Sequence, residues 1–206
     1  MPGTPSRLFV IAAPSGAGKT TLVKALTTRN PELRFSISYT TRKQRRTEVD
    51  GSDYIFVDPD EFQRLCAAGA LLESAQVFDN YYGTSREQVE EHLAAGHHVI
   101  LEIDWQGAQQ VRKAKPDCTT VFILPPSREE LERRLRSRGT DTDDVIERRL
   151  RDALSDMSHW DEFDYVIFND DLDQAVADLE AVLAGNGEAS ATDNPGVRAA
   201  ADALFR

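Results

Sequence analysis

Residues 7–29 read RLFVIAAPSGAGKTTLVKALTTR. The apolar run from Arg7 to Ala13 is what a strand buried on both faces requires, since neither face has to meet water. PSGAGKTT follows at once, and then an amphipathic TLVKALTTR, so the segment reads strand, loop, helix. The loop Ala13-Pro14-Ser15-Gly16-Ala17-Gly18-Lys19-Thr20 matches G-x-x-x-x-G-K-[ST], with alanine in place of the first glycine. Glycines without side chains let successive backbone N–H groups curl around an anion at the positive end of the following helix. Lys19 then brings a full charge to the β and γ phosphates, and the Thr20 hydroxyl is placed for Mg²⁺. The stretch predicts a nucleotide-phosphate site.

Further apolar runs, HVILEI from His98 to Ile103, TTVFIL from Thr119 to Leu124 and YVIF from Tyr165 to Phe168, are each followed by a helix-like segment. Strands alternating with helices predict an α/β fold, a parallel sheet core covered by helices. Helix starts are marked by Asp58-Pro59 with Glu61, by Ser85 with Gln88 and by Ser127 with Glu130. Between the first helix and HVILEI, a stretch mixing short strands (FSISY, YIFV, LLESAQV) with two helices reads as an inserted subdomain, residues 35–97. The core then comprises 7–34 and 98–184, with an arginine-rich helical pair near 127–157. Asp171 to Ala184 reads as a closing helix. Residues 185–206 are linker-like in composition, and RAAADALFR could form a short terminal helix.

At 206 residues, 40% hydrophobic and 29% charged, the chain has ordinary globular usage, which argues against disorder and disulfide scaffolds. Its net charge of −11 argues against a nucleic-acid polymer as partner. No apolar run is long enough to span a bilayer, so no membrane role and a cytoplasmic location are expected. Cys66 and Cys118 are expected to be buried structural thiols. His92, His97, His98 and His159 lack metal-ligand spacing. Asp104-Trp105-Gln106-Gly107 has the DxxG form of a GTPase, but no asparagine is followed by lysine, so the NKxD guanine signature is missing.

Ser38, Arg42 and Arg45 follow a strand. With the hydroxyls of Tyr54 and Tyr82, the two guanidiniums are equipped to grip a phosphate dianion. Glu73 lies in a mostly apolar strand, and a buried carboxylate needs donors; the N1–H and 2-amino group of guanine supply two in one plane, which adenine cannot. Glu102 and Asp104 alternate at the carboxyl end of HVILEID, where ligand sites of α/β sheets form. Arg134 and Arg138, four apart, share one helix face.

Six ordered blocks, APSGAGKTT, SISYTTRKQR with a later YIFV, ESAQVFDNYYGT, LEIDWQG, RSRGT with a following RRL, and VIFNDDL, resemble guanylate kinases over about Arg7 to Ala184. The resemblance implies Mg²⁺-dependent transfer of the γ-phosphoryl of ATP to GMP, and to dGMP. It implies an ATP site of Ala13, Pro14, Ser15, Gly16, Ala17, Gly18, Lys19, Thr20, Thr21 and Asn169, the last against adenine. It likewise implies a GMP site of Ser38, Arg42, Arg45, Tyr54, Glu73, Tyr82, Thr84, Glu102 and Asp104. Ser38 and Thr84 would lie near the guanine carbonyl edge. Lys19, Arg42, Arg134, Arg138 and Arg149 would neutralise the transferring group, the last three from a lid, and Thr20 would reach Mg²⁺, whose other ligands are mainly phosphate and water. Many members of that family have aspartate where Glu102 stands, which leaves its role divided among guanine, Lys19 and the Mg²⁺ water shell. The guanylate-kinase-like domains of scaffold proteins, which bind phosphopeptides, typically degrade the nucleotide loop; the intact GAGKT argues for the enzyme. Because water competes as acceptor, insert and lid are expected to close only on both substrates. A homo-oligomer is compatible with the sequence.

Overall fold

The computed structural model describes residues 6–77, 79–137 and 143–205. In chain order the elements are β1 (Leu8–Ala12), α1 (Lys19–Arg29), β2 (Arg34–Phe35), β3 (Ser38–Thr40), β4 (Ile55–Phe56), α2 (Pro59–Ala67), β5 (Leu71–Val77) and β6 (Asn80–Ser85). There follow α3 (Arg86–Ala94), β7 (Val99–Glu102), α4 (Trp105–Ala114), β8 (Thr119–Leu124), α5 (Arg128–Ser137), α6 (Asp143–Met157), β9 (Tyr165–Phe168), α7 (Leu172–Leu183) and α8 (Pro195–Ala203). The fold is α/β with a parallel sheet core. It divides into two compact units, residues 1–10 with 31–118 and residues 11–30 with 119–206, with β1 shared between them.

In the first unit β2 pairs in parallel with β7, which neighbours β1. A second sheet of order β4-β3-β6-β5 lies entirely within 35–97. Its β5 and β6 form an antiparallel hairpin, and β6 pairs antiparallel with β3. The sequence reading contains β5 but not β6, because NYYGTS is polar and half-buried and lacks an apolar run. The helices start where their caps predict: Asp58 accepts the Glu61 N–H at 2.8 Å and Ser85 that of Gln88 at 3.2 Å. Cys66, expected in the core with the buried Cys118, is only half-buried on the amphipathic α2, whose buried residue is Phe62, and neither cysteine is in a disulfide.

In the second unit β9 pairs in parallel with β8, which neighbours β1. All five residues of β1 are buried, and five of the six in β8, which explains their continuous apolar character. Helices α1 and α7 pack together through faces that bury Leu22, Val23 and Leu26 on one and Ala175, Val176 and Leu179 on the other. Residues 185–205, linker-like in composition, are folded. Ala191 bridges to Tyr165, α8 is capped by Asn194, and Val197, Ala201 and Leu204 are buried. The Arg198 guanidinium lies 5.4 Å from the centre of the Trp160 ring.

Candidate active site

The phosphate loop lies in the second unit. Its turn is closed by the Ala17 N–H donating to the Pro14 carbonyl at 3.2 Å. Gly16 and Gly18 have φ of 92° and 91°, a conformation that costs any residue with a Cβ about 1–2 kcal/mol. Helix α1 starts at Lys19 and carries no acid in its first turn, so the positive helix end stays available to an anion. Lys19 is half-buried, and Thr20 and Thr21 are exposed. The buried Ala17 turns its carbonyl inward, where it accepts the Asn169 side-chain amide at 2.7 Å and Arg134 Nη1 at 3.2 Å.

Asn169 and Arg134 therefore brace the loop from behind. The Asn169 N–H donates to the Leu124 carbonyl at 2.8 Å, which ties the residue to the end of β8. Arg134 Nη2 donates to the Asn169 carbonyl at 2.9 Å, and Nε to Glu130 Oε1 at 2.7 Å. Asn169, read from sequence as an adenine contact, supports the loop. Arg133 and Arg134 hold the Glu130 carboxyl down at about 2, chiefly through their hydrogen bonds. Arg149 is half-buried on α6. Arg138 lies outside the described residues.

The first unit gathers the other predicted group. Cross-strand register sets Ser38 beside Thr84 and Thr84 beside Glu73, so three residues far apart in sequence form one row across β3, β6 and β5. Glu73 is 4% exposed, and its Oε1 accepts the Thr84 hydroxyl at 2.7 Å. Two residues back along β6, the Tyr82 ring meets that of Tyr54 edge-on at 6.0 Å. The Arg42 guanidinium sits 5.3 Å from the Tyr54 ring centre and 5.7 Å from that of Phe56. Burial, then the neighbouring Tyr82 and Glu102, push the Tyr54 phenol above its usual range.

Arg42 is bidentate with Glu48, at 2.7 and 3.1 Å, and this pairing holds the Glu48 carboxyl below the usual range. Glu48 also accepts the Arg45 backbone N–H at 2.8 Å, which tightens the RKQRR turn. The sequence reading missed Glu48; a lone acid closing a basic run is the signal that could have found it. Arg45 is exposed, 3.8 Å from Glu48.

The reading of Glu102 and Asp104 as alternating strand residues is corrected. Strand β7 ends at Glu102, and Asp104 caps α4, its Oδ1 accepting the Gly107 N–H at 2.8 Å. An aspartate just before a helix satisfies an orphan first-turn donor, a stronger local preference than one more strand residue. Among the described residues no group of three or more His, Cys, Asp or Glu is gathered into a metal cage. Thr20, an exposed oxygen donor at the end of the loop, fits Mg²⁺ held mainly by phosphate and water. Among the described residues, no helix is long and apolar enough to cross a membrane.

Residues 5–186 match the family model described as guanylate kinase. The chain is 56% identical over 186 residues to a guanylate kinase of Alkalilimnicola ehrlichii, covering 90% of each chain. It is 51% identical over 178 residues to that of Escherichia coli, covering 85% of this chain and 86% of the relative. The crystal structure of a guanylate kinase from Anaplasma phagocytophilum superposes with a TM-score of 0.76 at 33% identity, over 100% of this chain and 98% of that one.

Proposed function

This chain belongs to the guanylate kinase family, and we infer from that premise and from its two clusters that it transfers the γ-phosphoryl of ATP to GMP, giving ADP and GDP. The observation that carries the reading beyond a generic phosphate loop is the buried Glu73 carboxylate in one row with Thr84 and Ser38. It offers acceptors to the N1–H and 2-amino donors of guanine, while the Ser38 hydroxyl stands in the same row for the carbonyl edge and the Thr84 O–H is donated to Glu73. The reaction breaks the bond between the γ-phosphorus and the β,γ-bridging oxygen and forms one to a phosphate oxygen of GMP. That oxygen is already anionic, so no general base is required.

The protein's work is positioning and charge stabilisation. The loop N–H groups and Lys19 hold the ATP phosphates. Arg42, Arg45 and the Tyr54 and Tyr82 hydroxyls hold the GMP phosphate. Arg134, Arg138 and Arg149 neutralise the charge that spreads over the phosphoryl in flight. Mg²⁺, reached by Thr20, supplies charge neutralisation and orientation of the ATP phosphates when bound. Glu102 and Asp104 assist at the guanine side, dGMP is a second acceptor, and the enzyme works in the cytoplasm. A coupled ADP-release assay across GMP, dGMP, AMP, CMP and UMP tests the reading. Turnover with GMP and dGMP alone is expected; equal turnover with AMP, or ATP hydrolysis without any acceptor, overturns it.

A further inference from the structure

We propose that α4 is a specificity element of the GMP site, in which Gln110 and Gly107 act as positioning residues for the Glu73 carboxylate; this rests on the reading of Glu73 as the guanine acceptor. Strand β5 is the edge of its sheet, so backbone groups on its outer side have no partner strand. At Ser74, the residue after Glu73, a side chain takes their place. The Ser74 N–H donates to Gln110 Oε1 at 3.1 Å, and Gln110 Nε2 donates to the Ser74 carbonyl at 2.8 Å. A carboxamide carries the same donor and acceptor pair as a peptide group, so Gln110 serves as a one-residue strand that pins β5 to α4.

Nearly one turn earlier on the same helix, Gly107 fixes the other end of the Glu73 side chain. A Cβ at position 107 would lie 2.7 Å from Glu73 Oε2 and 3.2 Å from its Cδ. The carboxylate is therefore seated between the Thr84 hydroxyl on Oε1 and the bare backbone of α4 beside Oε2. The Gly107 N–H is engaged by Asp104, so α4 meets the carboxylate by shape at this point. Two planar donors on a base require an acceptor pair held to within about half an ångström, and backbone pinning next to Glu73 supplies that restraint.

Gln110 is exposed, so its replacement removes the two bonds without opening the core. In Gln110→Ala, KM for GMP is expected to rise about tenfold, the worth of one to two modest hydrogen bonds, with KM for ATP unchanged. Gln110→Glu, which keeps an acceptor for the Ser74 N–H but sets a carboxylate oxygen against the Ser74 carbonyl, should raise KM for GMP at least as much as the alanine variant. Preference for GMP over inosine monophosphate, which lacks the 2-amino group, should narrow in the same order. An unchanged KM for GMP in Gln110→Ala, or an equal loss toward both nucleotides with a lower melting temperature, overturns the proposal. Glu73→Gln run alongside separates the two readings. If it loses GMP preference while Gln110→Ala does not, only the role of α4 is wrong; if it keeps that preference, the guanine reading itself fails.

Discussion

Replacing Glu73 by glutamine turns one oxygen into an NH₂ group and removes a charge with almost no change of shape. In the parent, Oε1 accepts the Thr84 hydroxyl at 2.7 Å and the side chain is 4% exposed, so solvent cannot make good a lost partner. On the proposed reading guanine presents two donors to this carboxylate, and in the variant one of them faces an NH₂ group. The loss combines a charge-assisted hydrogen bond, about 1.5–3 kcal/mol, with a donor left buried and unsatisfied, about 1–3 kcal/mol. A total near 3–5 kcal/mol corresponds to a fall in kcat/KM for GMP of between about 10² and a few times 10³. The folded protein should tolerate the change, because the Thr84 hydroxyl can rotate to accept from the new amide. The measurement is steady-state ADP release with GMP, inosine monophosphate and AMP, with KM for ATP as internal control. A ratio of GMP to AMP turnover that stays at the parent value, with normal expression and melting temperature, would remove Glu73 from base recognition.

Lys19→Ala should cost turnover, by about 10²-fold or more, because on the proposed reading its charge tracks the migrating phosphoryl; single-turnover rates at parent level would refute the assignment. Asn169→Ala removes the buried bond to the Ala17 carbonyl and should raise KM for ATP about tenfold while sparing KM for GMP, and a reversed pattern would place Asn169 elsewhere. The Glu130 carboxyl, held at about 2 in the folded protein, lies below its unfolded value. Its contribution to stability is full above about pH 5 and is lost as pH falls toward 2. The gap in melting temperature between the parent and Glu130→Gln should hold steady from pH 6 to 5 and shrink by pH 3; a gap independent of pH contradicts the ion pair with Arg133 and Arg134.

What was legible in the sequence was local. Strand β1, the loop and α1 announce themselves because burial on both faces, glycine conformation and helix start are encoded within 23 consecutive residues. The caps at Asp58, Ser85 and Ser127 are signals that span four residues, and each is made as read. What was not legible depends on register and on polar partners across long separations. Nothing periodic marks Gln110 as the partner of Ser74, 36 residues away, or Asn169 as the brace of Ala17, 152 residues away. Asp104 was misplaced because its strand-like spacing from Glu102 and its capping geometry compete, and capping wins just past the end of the strand. Residues 185–205 are linker-like in composition, yet the short terminal helix that RAAADALFR allowed is formed; Val197, Ala201 and Leu204 are buried, and small residues between them mask the pattern.

A protein of net charge −11 that handles two phosphate-bearing substrates must resolve its charge locally, and its arginines divide accordingly. Arg42 and Arg134 are ion-paired, with side-chain exposures of 15% and 23%, whereas Arg133 and Arg136, also ion-paired, are 69% and 45% exposed. An exposed pair on a helix surface contributes little and fixes little. A half-buried one has already given up its rotamer freedom on folding, a loss of up to about 2 kcal/mol that would otherwise fall on substrate binding. Glu48 and Glu130 thus do more than neutralise their partners. They hold two guanidiniums in set orientations, one beside the Tyr54 and Phe56 rings and one against the Ala17 carbonyl. Arg42 and Arg134 are distinguished from the solvated arginines by what holds them before any phosphate arrives, a property that charge counting along the chain does not contain.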